Sequence, residues 1–204
     1  MNENLMLYLI AYLLGGVPFG LIFGKIFAKV DITTEGSGSI GATNVLRVLK
    51  QHDPKLAKKI AILTVIFDVL KGVAPILIAR TFDVSQSMLW GMAVLSVVGH
   101  CFSPFLKFEG GKGVATGAGV IACFLPLEIA IALLTWFLIG KILKISSLAS
   151  LGALAALIIA SFILHPDMNG IHSHAPLLII AFLVVYKHLP NIKRLLSGTE
   201  QKVI

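Results

Sequence analysis

IAILTVIFDVLKGVAPILIA, residues 60–79, is an apolar run of 20 residues in which only Asp68 and Lys71 are ionisable. About 20 mostly apolar residues are what a helix needs to cross the hydrocarbon core of a bilayer, so the run predicts a transmembrane helix. Soluble domains carry about a quarter charged residues, whereas this chain of 204 residues has 13% charged and 57% hydrophobic residues. We therefore expect an integral membrane protein.

Further apolar segments of similar character lie on both sides of this run, at residues 5–23, 88–105, 114–124, 127–143, 147–164 and 175–186. Pro126 marks where residues 114–143, too many for one ordinary span, must reverse direction. We predict an all-α integral membrane protein of about seven transmembrane helices, forming a single domain over residues 1–204. Five or six spans remain the alternative if one segment is re-entrant.

The basic residues predict the orientation of these helices. With seven spans, 15 of the 17 Lys and Arg residues fall on one side of the membrane: seven in the first loop, two each in the third and fifth loops, and four in the C-terminal tail. Cytoplasmic loops carry such an excess of basic residues. The N-terminus is therefore expected outside and the C-terminus in the cytoplasm. The formal charge of +7 is then explained by topology and anionic lipid, so we expect no nucleic-acid partner.

Residues 36–44, GSGSIGATN, form the first of three polar segments on the predicted cytoplasmic side. Its glycines allow backbone N–H groups to face one concavity, and a following helix N-terminus adds partial positive charge. Four side chains in or next to the segment can also donate hydrogen bonds to a phosphate: Ser37, Ser39, Thr43 and Arg47. Ala42 stands where a Walker A loop needs lysine, which argues against nucleotide hydrolysis. The segment favours anion binding; the alternative is a re-entrant turn whose Arg47 reaches lipid head groups.

The second and third polar segments cover residues 99–116 and 186–194. In the second, Gly110, Gly111 and Gly113 surround Lys112 just before a predicted helix, which suits a second anion site. His100 is either a packing residue or an acid–base group. The third segment alone would be a basic interfacial tail.

Other polar residues receive weaker predictions. Asp68 and Lys71 share one helix face, so they form an ion pair or orient the cations of the glycine-rich loops. The spacing of the histidines at 165, 172 and 174 with Asp167 matches no zinc pattern, so we expect no metal site. Two cysteines in apolar surroundings predict no disulfide framework.

Three stretches resemble the cytoplasmic motifs of the bacterial acyl-phosphate-dependent glycerol-3-phosphate acyltransferases: GSGSIGATNVLR at 36–47, GHCFSPFLKFEGGKGVAT at 99–116 and HLPNIKRLL at 188–196. The resemblance extends to length, span count and motif order. It implies a multi-pass enzyme of the bacterial inner membrane, with its active site facing the cytoplasm. Its substrates would be acyl phosphate and glycerol 3-phosphate, within membrane lipid. Its products would be lysophosphatidic acid and inorganic phosphate, in the first acylation of phospholipid synthesis, without cofactor or metal.

The resemblance also implies roles for individual residues. Ser37 and Gly38 would cradle the donor phosphate, Arg47 and Lys112 would hold substrate phosphates, and His188, Asn191 and Ser147 would contact glycerol 3-phosphate. The catalytic set is then Ser37, Arg47, Lys112, His188 and Asn191. The phosphate-binding set is Gly36, Ser37, Gly38, Thr43, Asn44, Arg47, Gly111, Lys112 and Ser147, with His100, Asp68 and Lys71 as acid–base or supporting residues. Ser39 departs from the asparagine found in many members.

Chemistry fits this assignment, because an acyl phosphate has a good leaving group and needs no protein nucleophile. We expect direct attack by the glycerol hydroxyl, without an acyl-enzyme, aided by fixed cations and N–H groups. The proton acceptor stays open between a substrate phosphate, His100 and His188. The alternative function is a multi-span transporter or lipid flippase, which ionisable residues inside a span and glycine-broken helices would also suit.

Overall fold

The computed structural model describes residues 3–168 and 170–202, and within them all regular secondary structure is helical. Ten α-helices follow one another along the chain: α1 Glu3–Gly16, α2 Phe19–Phe23, α3 Ala42–Leu49, α4 Pro54–Arg80, α5 Gln86–Cys101, α6 Val114–Ala122, α7 Pro126–Leu143, α8 Ser146–Leu164, α9 Ala175–Lys187 and α10 Leu189–Leu196. A π-helical turn, Gly24–Ala28, continues α2, and a 3₁₀ turn, Pro104–Leu106, follows α5.

The described residues contain five helical segments that are long and apolar enough to cross a membrane: Asn4–Ala28, Pro54–Arg80, Gln86–Leu106, Pro126–Leu143 and Ser146–Leu164. A sixth is obtained if α9 and α10, which meet at 57°, count as one bent span. The all-helical membrane architecture predicted from sequence is therefore confirmed. The count of seven is not reached, because α6 has only 9 residues. At 1.5 Å per residue α6 covers about 14 Å, half the hydrocarbon thickness.

α4 is the longest helix, and its start follows from its sequence. The Asp53 carboxylate accepts hydrogen bonds from the backbone N–H groups of Lys55 and Leu56, at 2.9 and 3.0 Å, and Pro54 occupies the first turn, where a missing N–H costs nothing. Its 27 residues span about 40 Å, enough to cross the bilayer and extend beyond it.

The helices pack around two clusters of buried apolar residues, a larger one that includes Trp90 and a smaller one that includes Val45 and Ile60. α1 packs mainly against α5, α7 against α8, and α4 against α6 and α3. Trp90 of α5 is fully buried in the larger cluster and stacks on Phe124, with ring centroids 4.1 Å apart. On the outside, large side chains such as Leu134 and Ile163 are 59% and 71% exposed. Such exposed apolar side chains are suited to contact with lipid rather than water. The outer surface therefore agrees with the membrane-spanning helices that the apolar runs predict.

Candidate active site

A cavity of about 310 Å³ lies where the three polar segments meet. We call it the polar cavity. Its wall contains ten of the fourteen residues that the sequence predicted: Ser37, Thr43, Asn44, Arg47, Asp68, His100, Lys112, Ser147, His188 and Asn191. Arg47 and Lys112, which are 65 positions apart in sequence, therefore line the same cavity. Two cations that line one cavity make it suited to anionic ligands.

The 36–44 loop is held in shape by one buried amide. Asn44 Oδ1 accepts a hydrogen bond from the Ser37 backbone N–H at 2.8 Å, while its Nδ2 donates to the carbonyls of Ile32 at 2.9 Å and Glu35 at 3.2 Å. Gly36 has φ +63 and packs against this amide, so any side chain there would meet it. Asn44 thus contacts the loop backbone, which points to a positioning role beside the predicted phosphate contact.

The loop that carries Lys112 is packed against the end of α5. The Gly111 N–H donates to the His100 carbonyl at 3.0 Å, and a Cβ on Gly111 would collide with the His100 ring. Gly113 has φ +79, a left-handed conformation that favours glycine, and α6 begins directly after it. These glycines therefore fix the backbone on both sides of Lys112, and Gly111 lies behind the cavity wall.

The charge of Lys112 is sensitive to its surroundings. Burial lowers the pKa of this ammonium group, Glu200 raises it in part, and Arg194 and Arg47 also lower it, so that the pKa is about 8. A pKa near 8 leaves the group mostly protonated at neutral pH. A bound phosphate would stabilise that charged form.

The third segment brings a histidine and an asparagine to the cavity, and the tail after it adds an unpredicted carboxylate, that of Glu200. His188 Nδ1 lies 2.8 Å from the Val184 carbonyl, which can only accept, so Nδ1 carries the hydrogen and Nε2 remains an acceptor. Glu200 accepts hydrogen bonds from Ser147 Oγ at 2.7 Å and Asn191 Nδ2 at 2.6 Å. A third bond comes from Arg194 Nε at 2.6 Å. Burial raises the pKa of this carboxyl, but the three hydrogen bonds outweigh burial and lower it overall.

Sequence reasoning missed Glu200, which lines the cavity, and Arg194, which donates a hydrogen bond to it. Their signal was present, because Glu200 is a lone acidic residue in a basic tail. Its carboxylate joins α8 to α10 through Ser147 and Asn191. The tail is therefore part of the cavity wall rather than a simple interfacial anchor.

Asp68 and Lys71 form the predicted ion pair, with 2.7 Å between Nζ and Oδ1, and both side chains are buried. Lys71 Nζ also donates to the Val17 carbonyl at 2.8 Å, at the break between α1 and α2. His100 Nδ1 lies 3.8 Å from Asp68 Oδ1. The pair thus connects the broken first span to the cavity wall, and Lys71 lies outside the lining.

A narrower cavity of about 70 Å³ continues from the polar cavity between α6, α7, α8 and α9. We call it the apolar channel. The two spaces share Gly113, Val114, Ala118, Leu133, Trp136 and Ser150. The only hydroxyl in the channel wall, that of Ser150, donates to the Ser146 carbonyl at 3.0 Å. A wall made almost entirely of aliphatic and aromatic side chains suits a hydrocarbon chain.

Known proteins resemble this chain in sequence and in fold. Residues 5–198 match the family model described as glycerol-3-phosphate acyltransferase. Curated relatives of that name include one from Campylobacter concisus, 71% identical over 99% of this chain and 100% of the relative, and one from Campylobacter lari, 64% identical with the same coverage.

Solved structures of PlsY (YgiH), an integral membrane glycerol 3-phosphate acyltransferase, resemble this fold closely. Its glycerol 3-phosphate form has a TM-score of 0.87 at 35% identity, covering 98% of this chain and 96% of that one. Its lysophosphatidic acid form has a TM-score of 0.84 at 35% identity, covering 98% and 95%. The chain therefore belongs to the glycerol-3-phosphate acyltransferase family.

Proposed function

We propose that this chain transfers a fatty acyl group from acyl phosphate to glycerol 3-phosphate, giving lysophosphatidic acid and inorganic phosphate. The observation that carries the proposal is that Arg47 and Lys112 line one polar cavity that continues into the apolar channel. Both substrates carry phosphate and the donor also carries a hydrocarbon chain, so these two spaces match the two chemical parts of the donor. Membership of the glycerol-3-phosphate acyltransferase family supports glycerol 3-phosphate as the acceptor.

The phosphates are assigned by the side chains around them. The donor phosphate binds at the 36–44 loop, where Ser37, Thr43 and the guanidinium of Arg47 face the cavity. Glycerol 3-phosphate binds between Lys112 and Ser147, beside His188 and Asn191. Gly36, Gly38, Gly111 and Asn44 support these contacts by fixing the two loops.

The reaction then needs no covalent enzyme intermediate. The acceptor hydroxyl attacks the acyl carbonyl carbon, the bond from that carbon to the phosphate oxygen breaks, and the departing phosphate takes the electron pair. The hydroxyl proton passes to a phosphate oxygen, directly or through a protein acceptor. Since His188 Nε2 is an acceptor, it can accept a hydrogen bond from the glycerol 3-phosphate hydroxyl as that hydroxyl approaches the acyl carbon. Arg47 and Lys112 stabilise the developing negative charge without rearranging.

The membrane arrangement follows from the same assignment. We propose an N-terminus outside and a C-terminus in the cytoplasm of a bacterial inner membrane, with seven segments entering the bilayer and the polar cavity opening to the cytoplasm. The basic loops on one side support this orientation. Soluble glycerol 3-phosphate then enters from the cytoplasm, while the acyl chain arrives from the lipid.

Phosphate release by the purified protein tests the proposal against a transporter or flippase. With hexadecanoyl phosphate and glycerol 3-phosphate together, we expect inorganic phosphate and lysophosphatidic acid in equal amounts, and neither product when one substrate is omitted. A protein that moves either compound across vesicles without converting it would overturn the proposal.

Direct transfer is tested by intact mass spectrometry. After incubation with hexadecanoyl phosphate alone, we expect the mass of the protein to be unchanged. A stable added acyl group on a serine or cysteine, competent to react on addition of glycerol 3-phosphate, would replace direct attack with a two-step mechanism.

A further inference from the structure

We propose that two residues of α8 determine which acyl-chain lengths this protein accepts: Ala153, which controls passage along the apolar channel, and Leu157, which closes its far end. The inference rests on the proposed function, since it assumes that the channel holds the acyl chain of the donor. It adds a specificity determinant to that function. Both residues line the channel but not the polar cavity.

On three helices, the residues that line the mouth of the channel lie about two turns from those that line its far end. Residues shared with the polar cavity mark the mouth, namely Val114 on α6, Trp136 on α7 and Ser150 on α8. About two turns from each of these, towards the other end of the bundle, lie Ile121, Ile129 and Leu157. All three of these deeper side chains are buried, with 7% exposure or less. The channel therefore joins the polar cavity at its mouth and is lined by buried side chains at its far end.

The distance from the polar cavity to the far end of the channel corresponds to a definite number of carbons. Ser147, which lines the polar cavity three residues before the mouth, lies ten residues before Leu157 on α8, which is about 15 Å along the helix. An extended chain advances about 1.2 Å per bond, so about 12 carbons reach the far end. Ala153 lies one turn before Leu157, where about 8 carbons reach.

Steric fit, rather than hydrophobic attraction, must provide the selection. The donor comes from lipid or detergent, whose interior is as apolar as the channel, so burial of the chain gains little. A side chain that blocks the channel forces the acyl chain to bend out past Leu133, which is 56% exposed. Overpacking of an apolar site typically changes a rate ratio by about 5- to 150-fold.

The test compares kcat/KM for octanoyl and dodecanoyl phosphate in the full-length protein. We expect Ala153→Leu to lower kcat/KM for dodecanoyl phosphate at least tenfold relative to octanoyl phosphate. Ala155→Leu adds the same side chain to the exposed, lipid-facing side of α8 and should leave the ratio within twofold of wild type. Leu157→Ala opens the far end and should raise kcat/KM for hexadecanoyl relative to dodecanoyl phosphate.

The outcomes separate this inference from the proposed function. A wild-type protein that releases no phosphate from any of the three donors would overturn the function itself. An active wild type whose length preference is unchanged in both Ala153→Leu and Leu157→Ala would overturn the inference alone. If Ala153→Leu does not fold, Leu157→Ala decides by itself, since removing side-chain volume cannot block the channel.

Discussion

Replacing Lys112 with alanine should nearly abolish turnover while leaving the fold intact. The ammonium group faces the polar cavity between two loops whose backbone is fixed by glycines, so its removal leaves a gap without breaking a backbone contact. A charge-assisted hydrogen bond contributes about 1.5–3 kcal/mol, which is roughly 10- to 150-fold in rate. Because charges are weakly screened at this half-buried site, we expect kcat/KM to fall by about 100-fold, near the upper end of that range.

The assay is phosphate release from hexadecanoyl phosphate and glycerol 3-phosphate, with thermal unfolding in the same detergent as the measure of folding. Lys193→Ala is the matched control, because it removes the same charge from an exposed position of α10 that does not line the cavity. Its activity should remain within threefold of wild type. If Lys112→Ala is equally active, the lysine does not bind substrate phosphate and the reasoning is refuted.

Three further predictions follow from the charges around the cavity. The KM for glycerol 3-phosphate should rise as pH increases through about 8, because the free enzyme then loses the Lys112 proton, whereas Lys112→Arg should show no such rise below pH 10. Glu200→Gln should move this rise to lower pH, since the Glu200 carboxylate raises the Lys112 pKa; an unchanged pH profile would contradict the contact. Asp68→Asn should destabilise the protein by about 3–5 kcal/mol in thermal or denaturant unfolding, because Lys71 is left buried without its partner, and adding Lys71→Met should restore most of the loss.

Composition, motif order and the family resemblance sufficed to predict the membrane fold and ten of the residues that line the polar cavity. Uninterrupted apolar runs such as residues 60–79 have few structural alternatives, and glycine-rich loops next to Arg47 and Lys112 favour anion binding on chemical grounds. The sequence also predicted the pairing of Asp68 with Lys71, because isolated charges are costly inside a span.

Tertiary packing explains what the sequence did not predict. The apolar run from 114 predicts a span, but it contains a helix of only 9 residues. Hydropathy does not distinguish a short helix buried among neighbours from a complete span. Glycine at 111 suggested backbone contact with a ligand, yet its tight packing on the ring of His100 depends on how α5 ends. Glu200 meets Ser147 across 53 positions of sequence, a contact that no local pattern indicates.

A structure of this protein with glycerol 3-phosphate and a non-reactive phosphonate analogue of the acyl donor would test the central claim most directly. We expect both phosphorus atoms within the polar cavity, one bound by Arg47 and the other by Lys112, with the acyl chain in the apolar channel. A phosphate bound outside that cavity, or the two ligands too far apart for the acceptor hydroxyl to reach the acyl carbon, would contradict the account.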